Sequence, residues 1–383
     1  MAKATAPLPV DHPGTFIEEE LDARGWAQAD LAYILGMDVS QLNKLIKGVT
    51  SITPDSAVAL GDAFDMPAEF FMNLQKMYDL QKAKKADPGV KTRAAWLSVF
   101  PVREMIKRGW IENAEPDLLD LQMMRFFGKN RIEDIPFVSD APLLAHAAKK
   151  HDYEGTTELQ YVWLNRVRKM AEQIECPLYS EQALRNSLPS IREHLLLEED
   201  LIHIPEILHK CGVRFVLVDF LPGSKIDGVC VWLGGQPVIG MTLRLDRIDN
   251  FAFVLRHEIE HVLNGDGKEY SFAPVDSDTG KENGIDCEKI ANGAAAEFCV
   301  SATQLHSFIA RKSPFISRDD VIQFATRMEV HPGIVVGQIQ YQTKKFGWLK
   351  EYQIGVREHL MDWKYKDGWG YFSPTGLYGG DNG

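Results

Sequence analysis

Two histidines four residues apart with a glutamate beside the first, His257-Glu258-Ile259-Glu260-His261, are the residues of this chain best suited to chemistry. On a helix, positions i and i+4 share one face, so both imidazoles can serve one divalent metal ion, with Glu258 next to them as a general base. A catalytic zinc takes three protein ligands and leaves a fourth position open, so a further donor is required. Glu288 is the candidate. It opens the segment Glu288-Lys289-Ile290-Ala291-Asn292-Gly293-Ala294-Ala295-Ala296, whose small residues allow a second helix to approach the first closely. Asn292, one turn further on, is placed to orient a ligand from behind. Tyr270, His306 and His331 are candidates for stabilising an oxyanion, and Cys287 lies beside Glu288.

The elements that must position these residues follow from pattern. Residues 213–220 are β-branched and aromatic, 228–233 and 237–243 follow, and Gly234-Gly235 joins the last two as a hairpin. The metal helix then starts with Asp246 or Asp249 as N-cap, buries Phe251, Val254, Leu255 and Val262, and ends at Asn264-Gly265.

This half resembles the ImmA/IrrE family of metallopeptidases, in which strands precede an H-E-x-x-H helix and E-x-x-A-N opens the next; Glu288-x-x-Ala291-Asn292 matches the second motif. The resemblance covers about 201–345 and implies zinc held by His257, His261 and Glu288 with Glu258 as general base. Two positions depart from the family pattern. Glu260 stands where glycine is common, and Phe298-Cys299-Val300-Ser301 replaces an apolar run ending in proline.

Toward the N-terminus, helical segments are expected at 15–24, 28–35, 39–46, 53–64 and 68–75, the first three closed by Gly25, Gly36 and Gly48, the fourth opened by Thr53-Pro54. The middle pair has small Ala32 where two helices cross and Gly36 in the turn. Ser40, Gln41, Asn43 and Lys44, at the start of the next helix, are the candidates for contact with base edges. With His12-Pro13-Gly14, Ile52-Thr53-Pro54, Phe70-Phe71 and Asn73-Leu74-Gln75, this stretch resembles the helix-turn-helix domain of the HigA-type antitoxins and the wider Xre/Cro family. The resemblance implies a homodimer bound to a double-stranded DNA operator. Residues 11–76 nevertheless hold 4 Lys and Arg against 11 Asp and Glu, a poor surface for displacing counterions. Lys76, Lys82, Lys84, Lys85, Lys91 and Arg93, just beyond, are available to phosphates.

At 383 residues, with 45% hydrophobic and 25% charged residues, the chain suits a soluble protein of two or three domains. No run has the length of a membrane span and the start lacks a signal-peptide core, so a cytoplasmic protein is expected. Five scattered cysteines without a C-x-x-C pair argue against a disulfide framework and a thiolate zinc site. A net charge of −12 argues against non-specific nucleic-acid binding by the whole molecule and leaves any DNA contact to a local surface.

The expected organisation is a flexible 1–11, a five-helix helix-turn-helix domain at 12–78, and a helical connector or dimerisation region at 79–200. A metallopeptidase-like domain follows at 201–345 and an aromatic, glycine-rich tail at 346–383. The fold class is mainly α with an α+β, zincin-like C-terminal domain. The functional expectation is a DNA-binding regulator or antitoxin-like protein with a zinc-dependent peptidase-like domain that cleaves a partner repressor or toxin, or senses a signal. Two alternatives stand beside it: an endopeptidase that uses the helix-turn-helix only to dock, and a non-catalytic protein that neutralises a toxin.

Overall fold

The computed structural model describes residues 11–84, 87, 89–113, 115–138, 157–268 and 281–372, leaving aside the side chains of 116–117 and 281–286. Tyr270, Lys85, the tail beyond 372 and all of the expected N-terminal segment except Asp11 lie outside these residues. The chain divides into two compact units after Asp87.

The first unit is five helices: α1 (Pro13–Arg24), α2 (Gln28–Leu35), α3 (Val39–Ile46), α4 (Pro54–Phe64) and α5 (Ala68–Lys82). Local signals set their ends. The His12 imidazole accepts a hydrogen bond from Gly14 N at 2.9 Å, and Thr53 and Ser56 form a capping box at the start of α4. Ile17, Leu31, Leu42, Leu60, Phe64 and Phe71 meet in one core, each contributing about 1.5–3 kcal/mol on burial. α5 runs seven residues past the expected end at 75 because Gln75 is buried as a bracket rather than exposed as a terminus. Its Oε1 accepts from Ile52 N and its Nε2 donates to Asp79 Oδ1, both at 2.9 Å.

The second unit opens with α6 (Gly89–Val99), α7 (Val102–Lys107), α8 (Pro116–Phe127), α9 (Glu158–Ala171), α10 (Glu181–Glu193) and α11 (Ile204–Lys210). Strands β1 (Arg214–Val218), β2 (Gly228–Leu233) and β3 (Gln236–Met241) follow, then α12 (Ile248–Asn264) and α13 (Lys281–Cys299). The chain continues through α14 (Ala302–Lys312), α15 (Arg318–Met328), α16 (Pro332–Thr343), α17 (Arg357–Leu360) and β4 (Lys366–Asp367).

The sheet order is β2-β3-β1-β4, with β2 antiparallel to β3 and both other pairs parallel. Both faces are covered, which is why the strands read as continuous apolar runs. Val216, Val218, Val229, Val231 and Val238 face a core built with α6 to α9, whereas Phe215, Leu217, Cys230, Ile239 and Met241 face the core around α12. Residues from 89 onward in the stretch expected to be a connector therefore supply most of one of this unit's two cores, including Trp96, Trp110 and Trp163.

One expectation changes. Neither Asp246 nor Asp249 caps α12, whose N-cap is Arg247 without a side-chain bond. Asp246 Oδ1 instead accepts from the backbone N of Val356 and Arg357 at 3.0 and 2.8 Å, and Asp249 pairs with Arg247. The described part of the aromatic tail, up to 372, packs into this unit. β4 lies beside β1, where buried Asp367 accepts from Arg166 Nε at 2.6 Å and from Trp110 Nε1 at 3.1 Å. Trp363 Nε1 donates to Phe215 O at 3.2 Å.

Candidate metal centre

α12 is amphipathic in a way that splits support from chemistry. Ile248, Phe251, Leu255, Ile259 and Val262 bury one side against the sheet and neighbouring helices, while His257 and His261 emerge one turn apart toward α13. α13 packs along α12 with Ala291 and Ala295 fully buried. Small side chains at these positions bring the backbones close enough for Glu288 to reach both histidines.

His257 Nε2 and His261 Nε2 are 2.9 Å apart, His257 Nε2 is 3.4 Å from Glu288 Oε2, and His261 Nε2 is 3.3 Å from Glu288 Oε1. Bonds of about 2.0–2.2 Å in tetrahedral geometry place ligand atoms around zinc roughly 3.3 Å apart. Two imidazole nitrogens and one carboxylate at these separations fit such an ion. Among the described residues, His257, His261 and Glu288 are the group of donors close enough to hold a metal.

Burial pulls the His261 pKa down, but hydrogen bonding to Glu288, the charge of Glu258 and hydrogen bonding to Asp266 outweigh it and lift it to about 9. Glu288 is held well below the usual carboxylate range by its hydrogen bonds to His257 and His261.

The donors open on a cleft of about 230 Å³ lined by Lys225 to Cys230 of β2 and the loop before it, with Gln160, Phe253, Glu258 and Asn292. β2 is an edge strand of its sheet, so the cleft runs along backbone able to pair with an extended chain. Gly228 is required for this closeness: a Cβ there would stand 2.6 Å from Val254 Cγ1 and 2.7 Å from Glu258 Oε1. Glu258 itself is buried, on the turn between the two histidines.

The other candidates are dispersed. Asn292 is exposed on the cleft wall. His331 Nδ1 caps α16 by accepting from Gly333 N at 3.0 Å, while its Nε2 faces Glu198 at 3.6 Å, and His306 is exposed on α14; neither lines the cleft. Glu260, unusual for the family pattern, is accommodated by an ion pair with Arg256 Nη2 at 2.6 Å, one turn earlier on α12. One residue with a part in the site escaped the sequence reading: Asp266, whose Oδ2 is 2.8 Å from His261 Nδ1. The only signal was an acidic residue directly after the Gly265 that ends the helix.

In the first unit, α2 and α3 cross through Leu31, Ala32, Leu42 and Leu45. Ser40, Gln41 and Lys44 are exposed on α3, as is Lys47 just beyond it. Asn43 is half-buried with its Oδ1 inside, which leaves it the least available of the four candidates. Gln41 also accepts from Asp38 N at 3.4 Å, closing the N-terminal turn of α3.

Residues 17–71 match the family model described as helix-turn-helix. The chain is 33% identical over 79 residues to Virulence-associated protein I of Dichelobacter nodosus, a match covering 20% of this chain and 73% of that protein. The chain belongs, through its first unit, to this helix-turn-helix family. Among solved structures, an addiction module antidote protein of a HigA family from Coxiella burnetii is 32% identical. That match covers 20% of this chain and 84% of the other, at a TM-score of 0.19.

Proposed function

We propose that this chain is a DNA-binding regulator whose second unit is a zinc-dependent peptidase-like site, acting on an extended segment of a partner protein. The convergence of His257, His261 and Glu288 beside buried Glu258 carries this reading. His257, His261 and Glu288 would hold the ion, and zinc bound there would supply a Lewis acid and acidify water. Glu258 takes a proton from water at its carboxylate and returns it to the departing amine. The β2 edge offers backbone donors and acceptors that align a peptide strand along the cleft. DNA binding is assigned to α3 on the helix-turn-helix match and the exposed Ser40, Gln41 and Lys44, as a homodimer on an operator.

Metal analysis of the purified protein tests the central claim. About one zinc per chain is expected for the wild type and none for His257→Ala; equal content in both would sink it. Glu258→Gln then separates the peptidase from the interaction protein, because it should keep zinc and lose cleavage of the partner by about 10²–10⁴-fold. A cell-level function unchanged in that variant would favour a sensory or neutralising role. Failure of the wild type to shift its own promoter fragment would remove the DNA-binding half.

A further inference from the structure

The two histidine ligands are not equivalent. His257 Nδ1 is buried with no hydrogen-bond partner among the described residues, whereas His261 Nδ1 lies 2.8 Å from Asp266 Oδ2. For His261 to present a lone pair at Nε2, where the other donors are, its proton must sit on Nδ1, and a carboxylate acceptor there selects that tautomer.

The backbone explains how a residue five positions on reaches back to the ring. Gly265 ends α12 in the left-handed region at φ 70°, its N–H bonding to Val262 O at 3.1 Å, and Asp266 N donates to His261 O at 3.0 Å. This is the double closure in which the residue after the glycine folds back over the last turn. That residue often makes an apolar contact with the helix; here it makes a carboxylate–imidazole contact. Its position is held from the sheet side too, since Trp232 Nε1 donates to Asp266 O at 2.8 Å. The second carboxylate oxygen is also used: Cys287 Sγ donates to Asp266 Oδ1 at 3.4 Å, and Cys287 immediately precedes Glu288.

We propose that Asp266 is the positioning residue of the metal centre, fixing the tautomer and plane of His261 with one oxygen and, through Cys287, the start of the Glu288 turn with the other. The inference rests on reading the site as a metal centre. One side chain thereby ties together a ligand from α12 and a ligand from α13.

The test uses the full chain and zinc itself, with affinity read by competition against a chromophoric chelator and geometry by the absorption of the cobalt(II)-substituted protein. Asp266→Ala should weaken zinc binding by about 10–100-fold and alter the cobalt bands. Asp266→Asn, which keeps a hydrogen-bond acceptor, should recover part of that loss. Cys287→Ser, keeping a donor, should match the wild type, and Cys287→Ala should fall between. Circular dichroism identifies any variant that has lost its fold, in which case Asp266→Asn alone decides. A folded Asp266→Ala or Asp266→Asn with wild-type zinc affinity and cobalt spectrum overturns the proposal; a Cys287→Ala that behaves as wild type overturns its second arm. A wild type that binds no more zinc than His257→Ala would instead overturn the metal-centre reading beneath it.

Discussion

α3 of the first unit and α12 of the second each carry a candidate functional face, and they place it in opposite environments. On α3, Ser40, Gln41 and Lys44 are exposed, dispersed along the surface and held by little beyond the helix itself. On α12, Glu258 and His261 are buried, His257 is half-buried, and both histidines face Glu288 of α13. A surface that reads DNA must remain open to a large ligand, so its side chains gain their order on binding. A site that holds an ion must be ordered beforehand, because every ligand atom has to lie within a few tenths of an ångström of its place. Substitutions should therefore cost the second unit stability or metal, and cost the first unit affinity alone.

The largest effect is expected at the buried Arg166–Asp367 pair, which joins α9 to β4 behind the sheet. Asp367→Ala removes the carboxylate that accepts from the buried Arg166 guanidinium and should destabilise the unit by about 3–5 kcal/mol. Urea unfolding followed by hydrogen exchange would show the second unit's amides losing protection while those of α1 to α5 keep theirs. Equal loss in both units would break the comparison.

A smaller effect concerns pH. With its pKa raised to about 9, His261 of the metal-free protein is protonated at neutral pH, and its carboxylate contacts contribute stability that is fully present below 6.5 and lost as pH rises through about 9. Zinc must displace that proton. Affinity should thus rise about tenfold per pH unit up to about 9 and level off above it, with proton release detectable by calorimetry in buffers of different ionisation enthalpy. Zinc affinity independent of pH between 6.5 and 9 would contradict the assignment of His261 as a ligand.

The smallest expected change is on the DNA-binding side. Lys44→Ala should lower operator affinity by about 1 kcal/mol and relax the preference at the base it contacts, leaving the thermal transition in place. Asn43→Ala should do the reverse and change stability more than affinity, because its Oδ1 is inside. Binding curves on the operator and on base-substituted versions of it check both; an Asn43→Ala loss larger than that of Lys44→Ala would show that the side chain turns outward on DNA.

How much could be read from the residues differs between the units for a physical reason. The ends of α2, α3 and α4 match the pattern because Gly36, Gln41 and Thr53 act on backbone groups within four residues of themselves. Asp246 had the composition of an N-cap as well, yet it is engaged by backbone N–H groups 110 and 111 positions away, which no local rule anticipates. β4 is two residues long, too short to show an alternation, and exists because β1 offers it an edge.

The same division runs through the site. Helical periodicity by itself determined that His257 and His261 share a face and that Glu258 accompanies them, since 3.6 residues per turn admits no other arrangement once the segment is a helix. The alanines after Glu288 determined that a second helix can come close. Only the tertiary structure decided that it does so with Glu288 level with both imidazoles, that Gly228 opens the wall beside Glu258, and that Asp266 stands behind His261. Those three facts depend on the docking of α13, the sheet and the helix end against α12, and docking is set by packing summed over many residues rather than by any short stretch of chain.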